Sequence, residues 1–431
     1  MISRKLLLLY YIIFLFFADN SFTQTKSDSV RDFNKPKDVS FSAVVKISNP
    51  LNKPLNNLLI SIPYEHFKKK FPSFNEKSFC VFDGKQEIPS QLEDIDGNLI
   101  MDNILFLVSL KKNQHKSFRI VNCKSDKTKF IKQTHAEISI KTDYILQDGY
   151  YTGGQFKNVS EVEIPKNHFA HDALYKFEGP GWESENIGYR FYLDSRNRTD
   201  IWGKKVNDLV LINVGNKDLV SDSKESYTKM SEWGMDIFKV GESLGIGSIA
   251  TWYDGKVKTV STVDNTICKI TADGIIKSNV LTKYRNWKVG SLYYDLTSLI
   301  SISAGSRFSK QEIDVTGNLE NICTGFAKHA DCKFDEDNKN LEWGYLASYG
   351  KQSLAGDDLG LAIIYRKKDL IKITEDQLNH IVLLKPTAGK VIYYFGAAWE
   401  GEPNGIKSEK EFINYLNDVI TEKSISVKTY F

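Results

Sequence analysis

Short runs in which apolar and polar positions alternate dominate the chain from Val39 onward. SFSAVVKISN, NNLLISIPY, SFCVFDGKQEIPSQL and NILFLVSLKKNQHKSFRIV have strand length and are separated by Asn-Pro, Asp-Gly and Asn-Gln turns. They predict a small antiparallel β-sandwich over residues 38–125 whose strands carry no obvious chemistry. A charged bridge, Lys124 to Lys132, follows. Beyond it come AEISIKT, GYRFYLDS, DLVLINVG, GSIATWYD, ICKITAD, SNVLTKYRNWKV, LYYDLTSLISISAG, LGLAIIYRK and HIVLLKPTAGKVIYYFGAAW. These are rich in Val, Ile, Thr and Tyr, which fit a pleated, half-buried surface. Helical periodicity is scarce. Ser408 to Thr421 alone combines a capping serine with an apolar stripe of Phe412, Tyr415, Leu416 and Ile420, and predicts a short C-terminal helix. The expected fold is all-β: the small N-terminal β-sandwich, then a large two-sheet β-(super)sandwich over residues 130–431, with the site on its concave face.

The first residues follow a different rule. Arg4 and Lys5 precede an unbroken apolar run from Leu6 to Phe17, and small and polar residues follow. That order predicts a cleavable signal peptide over residues 1–23, export across the inner membrane, a periplasmic location and no membrane contact after cleavage. The run is too short for a comfortable membrane-spanning helix, which needs about 20 residues. A polar linker leads to residue 37. The hydrophobic content of 41% allows a sizeable core, and the formal charge of +3 argues against general nucleic-acid binding. The five cysteines are too sparse for a disulfide scaffold. Cys323 and Cys332 flank a short polar segment and are candidates to close a loop, with buried free thiols as the alternative. No CxxC pair points to a thiolate metal site.

The candidate chemistry concentrates between Asn167 and Asp208. If Gly188 to Ser195 is a strand, Tyr189, Phe191 and Leu193 face one side while Arg190, Tyr192 and Asp194 face the other. An arginine beside a tyrosine on an open face suits a carboxylate and a sugar ring. A structural pair of Arg190 with Asp194 or Asp200 is the competing reading. His168 and His171 are spaced i, i+3 beside Asp172. That spacing fits a general acid or base oriented by Asp172 or Glu178, or a pair of metal ligands; no cofactor is otherwise called for. Lys204 shares the parity of Arg190 and Tyr192. GPGWESE reads as a turn-rich loop that would present Trp182 as a stacking platform, with Glu183 and Tyr189 beside it. Trp233 and Asp236 precede the Gly-rich GESLGIG, which lacks the ending of a phosphate-binding loop. Glu400 at a strand exit is a further candidate base.

The segments AHDALYKFEGPGWESENIGYRFYLDSRNRTDIWGKK, WGMDIFKVGESLGIG and EIPSQLEDIDGN resemble a domain-of-unknown-function family of secreted bacterial proteins encoded in polysaccharide-utilisation loci. The resemblance extends over nearly the whole mature chain. It includes a type that acts in ulvan breakdown as an oligosaccharide dehydratase, a carbon–oxygen hydro-lyase. It therefore implies loss of water from a non-reducing-end glucuronate or iduronate, leaving a 4,5-unsaturated sugar, with an anionic oligosaccharide as partner. No site residue follows from the resemblance itself. The chain's own residues supply the expected roles: Arg190 and Lys204 to neutralise the carboxylate, His168, His171 and Tyr192 as acids or bases, Trp182 and Trp233 as sugar platform. The alternatives are a polysaccharide lyase or glycoside hydrolase on a uronate-containing glycan, and a non-catalytic carbohydrate-binding protein.

Overall fold

Alternation along the first described strand shows how the fold is built. In Ser42–Ser48 every second side chain is buried, and Val45 and Ile47 point into a core. The computed structural model describes residues 41–216, 227–330, 332–336, 341–424 and 429–430. The expected signal segment, 1–23, and the linker after it lie outside the described residues.

Two sheets enclose this first core. One joins Ser42–Ser48, His115–Asn122, Phe79–Asp83 and Gln86–Ile88, with Thr429–Tyr430 added on the outer side of Ser42–Ser48. The other joins Leu55–Pro63, Asn103–Leu110 and Ser90–Glu93. Val45, Ile62, Phe67, Phe106 and Phe118 fill the space between them. A short helix not expected from the sequence, Tyr64–Lys70, delivers Phe67. Cys80 and Cys123 form a disulfide across this unit. The loop closure expected of Cys323 and Cys332 is not formed, because Cys323 is a buried thiol inside the strand Ile322–Ala327.

The larger part is a layered β structure, as its alternation and β-branched content predict. A nine-stranded antiparallel sheet runs from Glu161–Glu163 at one edge to Cys332–Glu336 at the other, through Lys277–Val289 and Leu292–Ser303. Facing it are a six-stranded sheet (Gln155–Val159, Thr134–Thr142, Gly181–Ser184, Ile187–Phe191, Thr199–Lys204, Gly234–Asp236) and a five-stranded sheet (Lys256–Thr259, Ala250–Tyr253, Ile322–Ala327, Asn379–Leu384, Leu370–Glu375). Single bridges from Thr199 to Gly245 and from Ile246 to Phe326 stitch those two together. Trp182, Tyr189, Ile246, Tyr284, Ile300, Phe326, Ile363 and Phe395 meet in the main core.

The helix Glu409–Lys423 covers the other face of the nine-stranded sheet and buries Phe412, Leu416 and Ile420 against Trp343, Tyr345 and Ile364. Ser408 caps it by accepting a hydrogen bond from the Glu411 N–H. Ile363 and Ile364 therefore enter different cores, which is why Asp358–Arg366 reads as a continuous apolar run. A Cβ at Gly360 would lie 2.7 Å from the Phe412 ring, so glycine is what lets the helix seat this closely.

Candidate active site

The six-stranded sheet has one apolar face and one charged face. Ala136, Ile138, Trp182, Tyr189, Phe191 and Ile201 enter the main core. The opposite parity places Glu137, Glu183, Arg190, Asp200, Trp202, Lys204 and Asp236 on the other face. Phe177, Leu211 and Tyr227 pack over Trp202 on that side, so the charges are buried beneath them. Buried charge is costly unless each group is paired; Glu137 is paired with Lys176 at 2.7 Å, and two further networks pair the rest.

The first network centres on Arg190. Its cross-strand neighbour is Asp200. Its Nε and Nη2 donate to Asp200 Oδ2 at 3.1 and 2.7 Å, Nη2 also donates to Asp236 Oδ2 at 2.6 Å, and Nη1 donates to the Tyr227 hydroxyl at 2.8 Å. The parity expectation for Arg190 and Tyr192 holds in this network, since the Tyr192 hydroxyl donates to the same Asp200 oxygen at 2.5 Å. The guanidinium, however, is spent on protein acceptors, so the structural pairing is the one observed. Burial and the Asp200 charge push the Asp236 carboxyl up to about 8, with Arg190 opposing. The Tyr192 hydroxyl is pushed far up, chiefly by burial, with Asp200 and Asp236 adding to it against Arg190. Tyr192, expected as an acid or base, is instead a buried donor to Asp200.

The second network holds Lys204. Its Nζ donates to Glu183 Oε2 at 2.8 Å, to the Ser184 carbonyl at 2.5 Å and to the Asp208 carbonyl at 2.6 Å. Glu183 also accepts from the Val210 and Leu211 N–H groups. All three ammonium hydrogens are used and both side chains are fully buried, so neither expected role, catalysis for Lys204 or substrate contact for Glu183, fits this position. Trp182 is likewise no platform. It lies within the strand Gly181–Ser184, 1% exposed, stacked on Tyr189 and donating from Nε1 to Ser309 Oγ. Tyr189 is sealed with it, its hydroxyl bonded to the Arg307 carbonyl. Glu400 accepts from the Asp358 N–H and stands 3.8 Å from Lys351, its partners all outside the Arg190 network. Trp233 is half-buried on the Trp202 and Tyr227 cluster, its carbonyl accepting from the Lys205 N–H at the Lys204 end of the strand.

The open part of the site lies where the turn 168–178 meets 194–198. Three non-glycine residues there, His171, Ala173 and Glu178, have φ of 66°, 65° and 64°. Left-handed backbone is unfavourable for side-chain-bearing residues and gathers at functional sites. The His171 side chain is 69% exposed, and its Nδ1 is 3.2 Å from Glu178 Oε1. Burial, then the Arg196 charge, lower its pKa, against an upward pull from Asp194. Arg196 bridges Glu178 and Asp194, with Nε 2.9 Å from Asp194 Oδ1, and lies over the Tyr192 ring at 4.0 Å. It is lowered to about 10, first by burial and then by Arg198, and so keeps its charge at neutral pH. Burial raises the Asp194 carboxyl. His168 is closed off: Nδ1 is 2.7 Å from Asp172 Oδ2, while Nε2 is buried with no hydrogen-bond partner among the described residues. His168, His171 and Asp172 do not converge as a metal cage. Among the described residues the one group that brings three ligand atoms together is Asp94, Asp96 and Asp102, in another part of the fold.

The structure thus joins Arg190, Tyr192, Asp236 and both histidines to one electrostatic system, and separates Lys204, Glu183, Trp182, Tyr189 and Glu400 from it. It adds Arg196, which sequence reading passed over although DSRNR follows the strand directly, and Tyr227, for which no local signal exists.

Comparison with known proteins sets this site in a family. A curated relative, "Uncharacterized protein P7" of Formosa agariphila, is 26% identical over 391 residues, covering 84% of this chain and 87% of its own. Among solved structures, an alpha-mannosidase from Enterococcus faecalis V583 gives a TM-score of 0.42 at 9% identity over 90% of this chain, which spans 46% of that protein. An aldose 1-epimerase-type protein from Klebsiella pneumoniae gives a TM-score of 0.31 at 9% identity, covering 64% of this chain and 90% of its own. With residues 47–427 matching it, the chain belongs to the family described as domain of unknown function DUF4861.

Proposed function

We propose that the protein is an exported, periplasmic carbohydrate-active enzyme that eliminates water from the non-reducing-end uronate of an oligosaccharide, as in ulvan breakdown. One observation carries this reading: a solvent-facing imidazole, His171, has its Nδ1 3.2 Å from a buried carboxylate, Glu178, beside a part-exposed guanidinium, Arg196. Elimination needs a base for the C5 proton, a cation to hold the substrate carboxylate as charge develops, and an acid for the departing 4-hydroxyl. His171, kept neutral by its lowered pKa, takes the C5 proton at Nε2. Glu178 at Nδ1 then stabilises the imidazolium, as a carboxylate does for a catalytic histidine. The same imidazolium returns the proton to O4, so that the C5–H and C4–O bonds break, a C4–C5 double bond forms and water departs. Arg196 takes the part expected of Arg190: Asp194 and Glu178 hold its Nε and Nη2, and its Nη1 and positive charge face the sugar acid. Arg190, Tyr192, Asp200 and Asp236 form the buried floor on which Arg196 rests. The Cys80–Cys123 disulfide fits an oxidising compartment.

A hydrolytic reading would use Asp200 and Asp236 as a carboxylate pair with one raised pKa. Both carboxylates bind the same Nη2 of Arg190 and both are buried. That leaves no room for a sugar ring between them, as glycosidase chemistry requires. The test is incubation with a saturated oligosaccharide ending in glucuronate. Loss of one water by mass with a rise in ultraviolet absorbance supports elimination; shortened products replace it with chain cleavage; binding with neither change leaves a carbohydrate-binding protein.

A further inference from the structure

With Trp182 buried, the aromatic seat for the rest of the oligosaccharide has to come from elsewhere, and one surface feature borders His171. Among the described residues the strands Ile145–Gln147 and Tyr150–Thr152 pair only with each other, turned by Asp148 and Gly149 at φ of 50° and 89°. An isolated hairpin is marginal in water, yet this one shows Tyr144, Ile145, Leu146 and Tyr150 to solvent, Tyr150 at 47%. It is fastened to the candidate site. The Tyr151 N–H donates to the Asp172 carbonyl at 2.8 Å, and Lys141 Nζ holds the Tyr151 carbonyl at 2.8 Å. Phe169, 37% exposed, stands edge-on to Tyr150 with ring centroids 5.3 Å apart. Phe169 belongs to the turn that carries His168 and His171, and its N–H points to Asp172 Oδ2, the oxygen that holds His168.

We propose that Tyr150 and Phe169 form the subsite that seats the sugar rings next to the terminal uronate. The proposal rests on the reading above for the identity of that terminal sugar. The hairpin and the turn form one continuous surface ending at the reacting imidazole, so a chain held at His171 by its terminal residue has its next rings over Phe169 and Tyr150. A pyranose presents a C–H face to an aromatic ring and hydroxyls at its rim, which a tyrosine edge and the polar neighbours Gln147 and Asp148 can meet. Contiguous exposed apolar residues mark binding surfaces, and here continuity with the site selects a saccharide over a second protein copy.

The experiment uses the full mature chain and saturated oligosaccharides of two and six sugars with glucuronate at the non-reducing end, measured by calorimetry and by turnover. Tyr150→Ala and Phe169→Ala should each weaken hexamer binding about three- to tenfold, raise KM in step and leave kcat within about twofold. The disaccharide should be much less affected. Tyr150→Leu, which keeps bulk without the ring, should repeat the loss if alanine lowers stability. Unchanged hexamer affinity in the folded variants overturns the proposal, as does conversion of a dimer to a monomer with saccharide affinity intact. Should hexamer binding fall in the variants while no water is ever eliminated, the platform stands and the elimination reading falls. Should water be lost at wild-type efficiency in every variant, the reverse holds.

Discussion

Lys204→Met is the sharpest test of how the charged face is partitioned. The ammonium is fully buried, donates to three acceptors and neutralises Glu183, which is buried with it. Methionine has similar length and removes all three hydrogen bonds, leaving Glu183 charged or forcing it to take a proton. Breaking one side of a buried pair costs about 3–5 kcal/mol. For a unit running from Ser40 to Phe431, an unfolding entropy scaled per residue gives roughly 0.8 kcal/mol per degree, so Tm should fall by about 4–6 °C. Thermal unfolding by calorimetry reads this directly. The double variant Glu183→Gln with Lys204→Met should recover part of the loss, since the orphaned charge is gone. Turnover below Tm should stay within a few-fold of wild type. A Tm within about one degree of wild type together with abolished turnover would refute the reasoning and return Lys204 to the reacting centre.

Further outcomes follow from the other networks. His171→Ala should lower kcat by about 10²–10⁴-fold with little change in Tm, because the side chain is exposed. The wild-type rate should rise with pH through a value below the ordinary histidine range, since the neutral imidazole is the base and burial with Arg196 lowers its pKa; Arg196→Gln should move that limb upward. Asp236 holds its proton more tightly folded than unfolded, so its contribution to stability is greatest below the ordinary aspartate range and is lost as pH rises toward about 8; Tm of Asp236→Asn should therefore fall less than wild type between pH 5 and 8. Replacing Cys80 and Cys123 by alanine frees a loop with a sequence separation of 43, worth about 4 kcal/mol of chain entropy, and should lower Tm and open the first β unit to proteolysis.

The fold was legible because burial on a sheet has a period of two, and that period survives in the sequence wherever one face is wet or polar. The Arg190 and Tyr192 side was read correctly for this reason. Parity does not say what lies across a strand pair or above it. Arg190 meets Asp236 across 46 positions and Tyr227 across 37, separations no local pattern encodes. Lys204 has the parity of Arg190 but sits at the other end of its strand, over Glu183. Trp182 was misplaced because its flanking glycines resemble a loop. Gly181 is instead the position where the Phe177 ring rests on the sheet, 2.7 Å from where a Cβ would stand. The hairpin aromatics were missed because exposure, which makes them informative, is invisible in composition.

The pairing of Thr429–Tyr430 with Ser42–Ser48 has a consequence for assembly. Ser42–Ser48 has one flank satisfied by His115–Asn122 and the other, among the described residues, by Thr429–Tyr430, nearly four hundred positions away. Without that pairing a molecule carries an open β edge able to template on a neighbour. Deleting Thr429–Tyr430 should therefore reveal itself first as clumping during production, before any effect on chemistry.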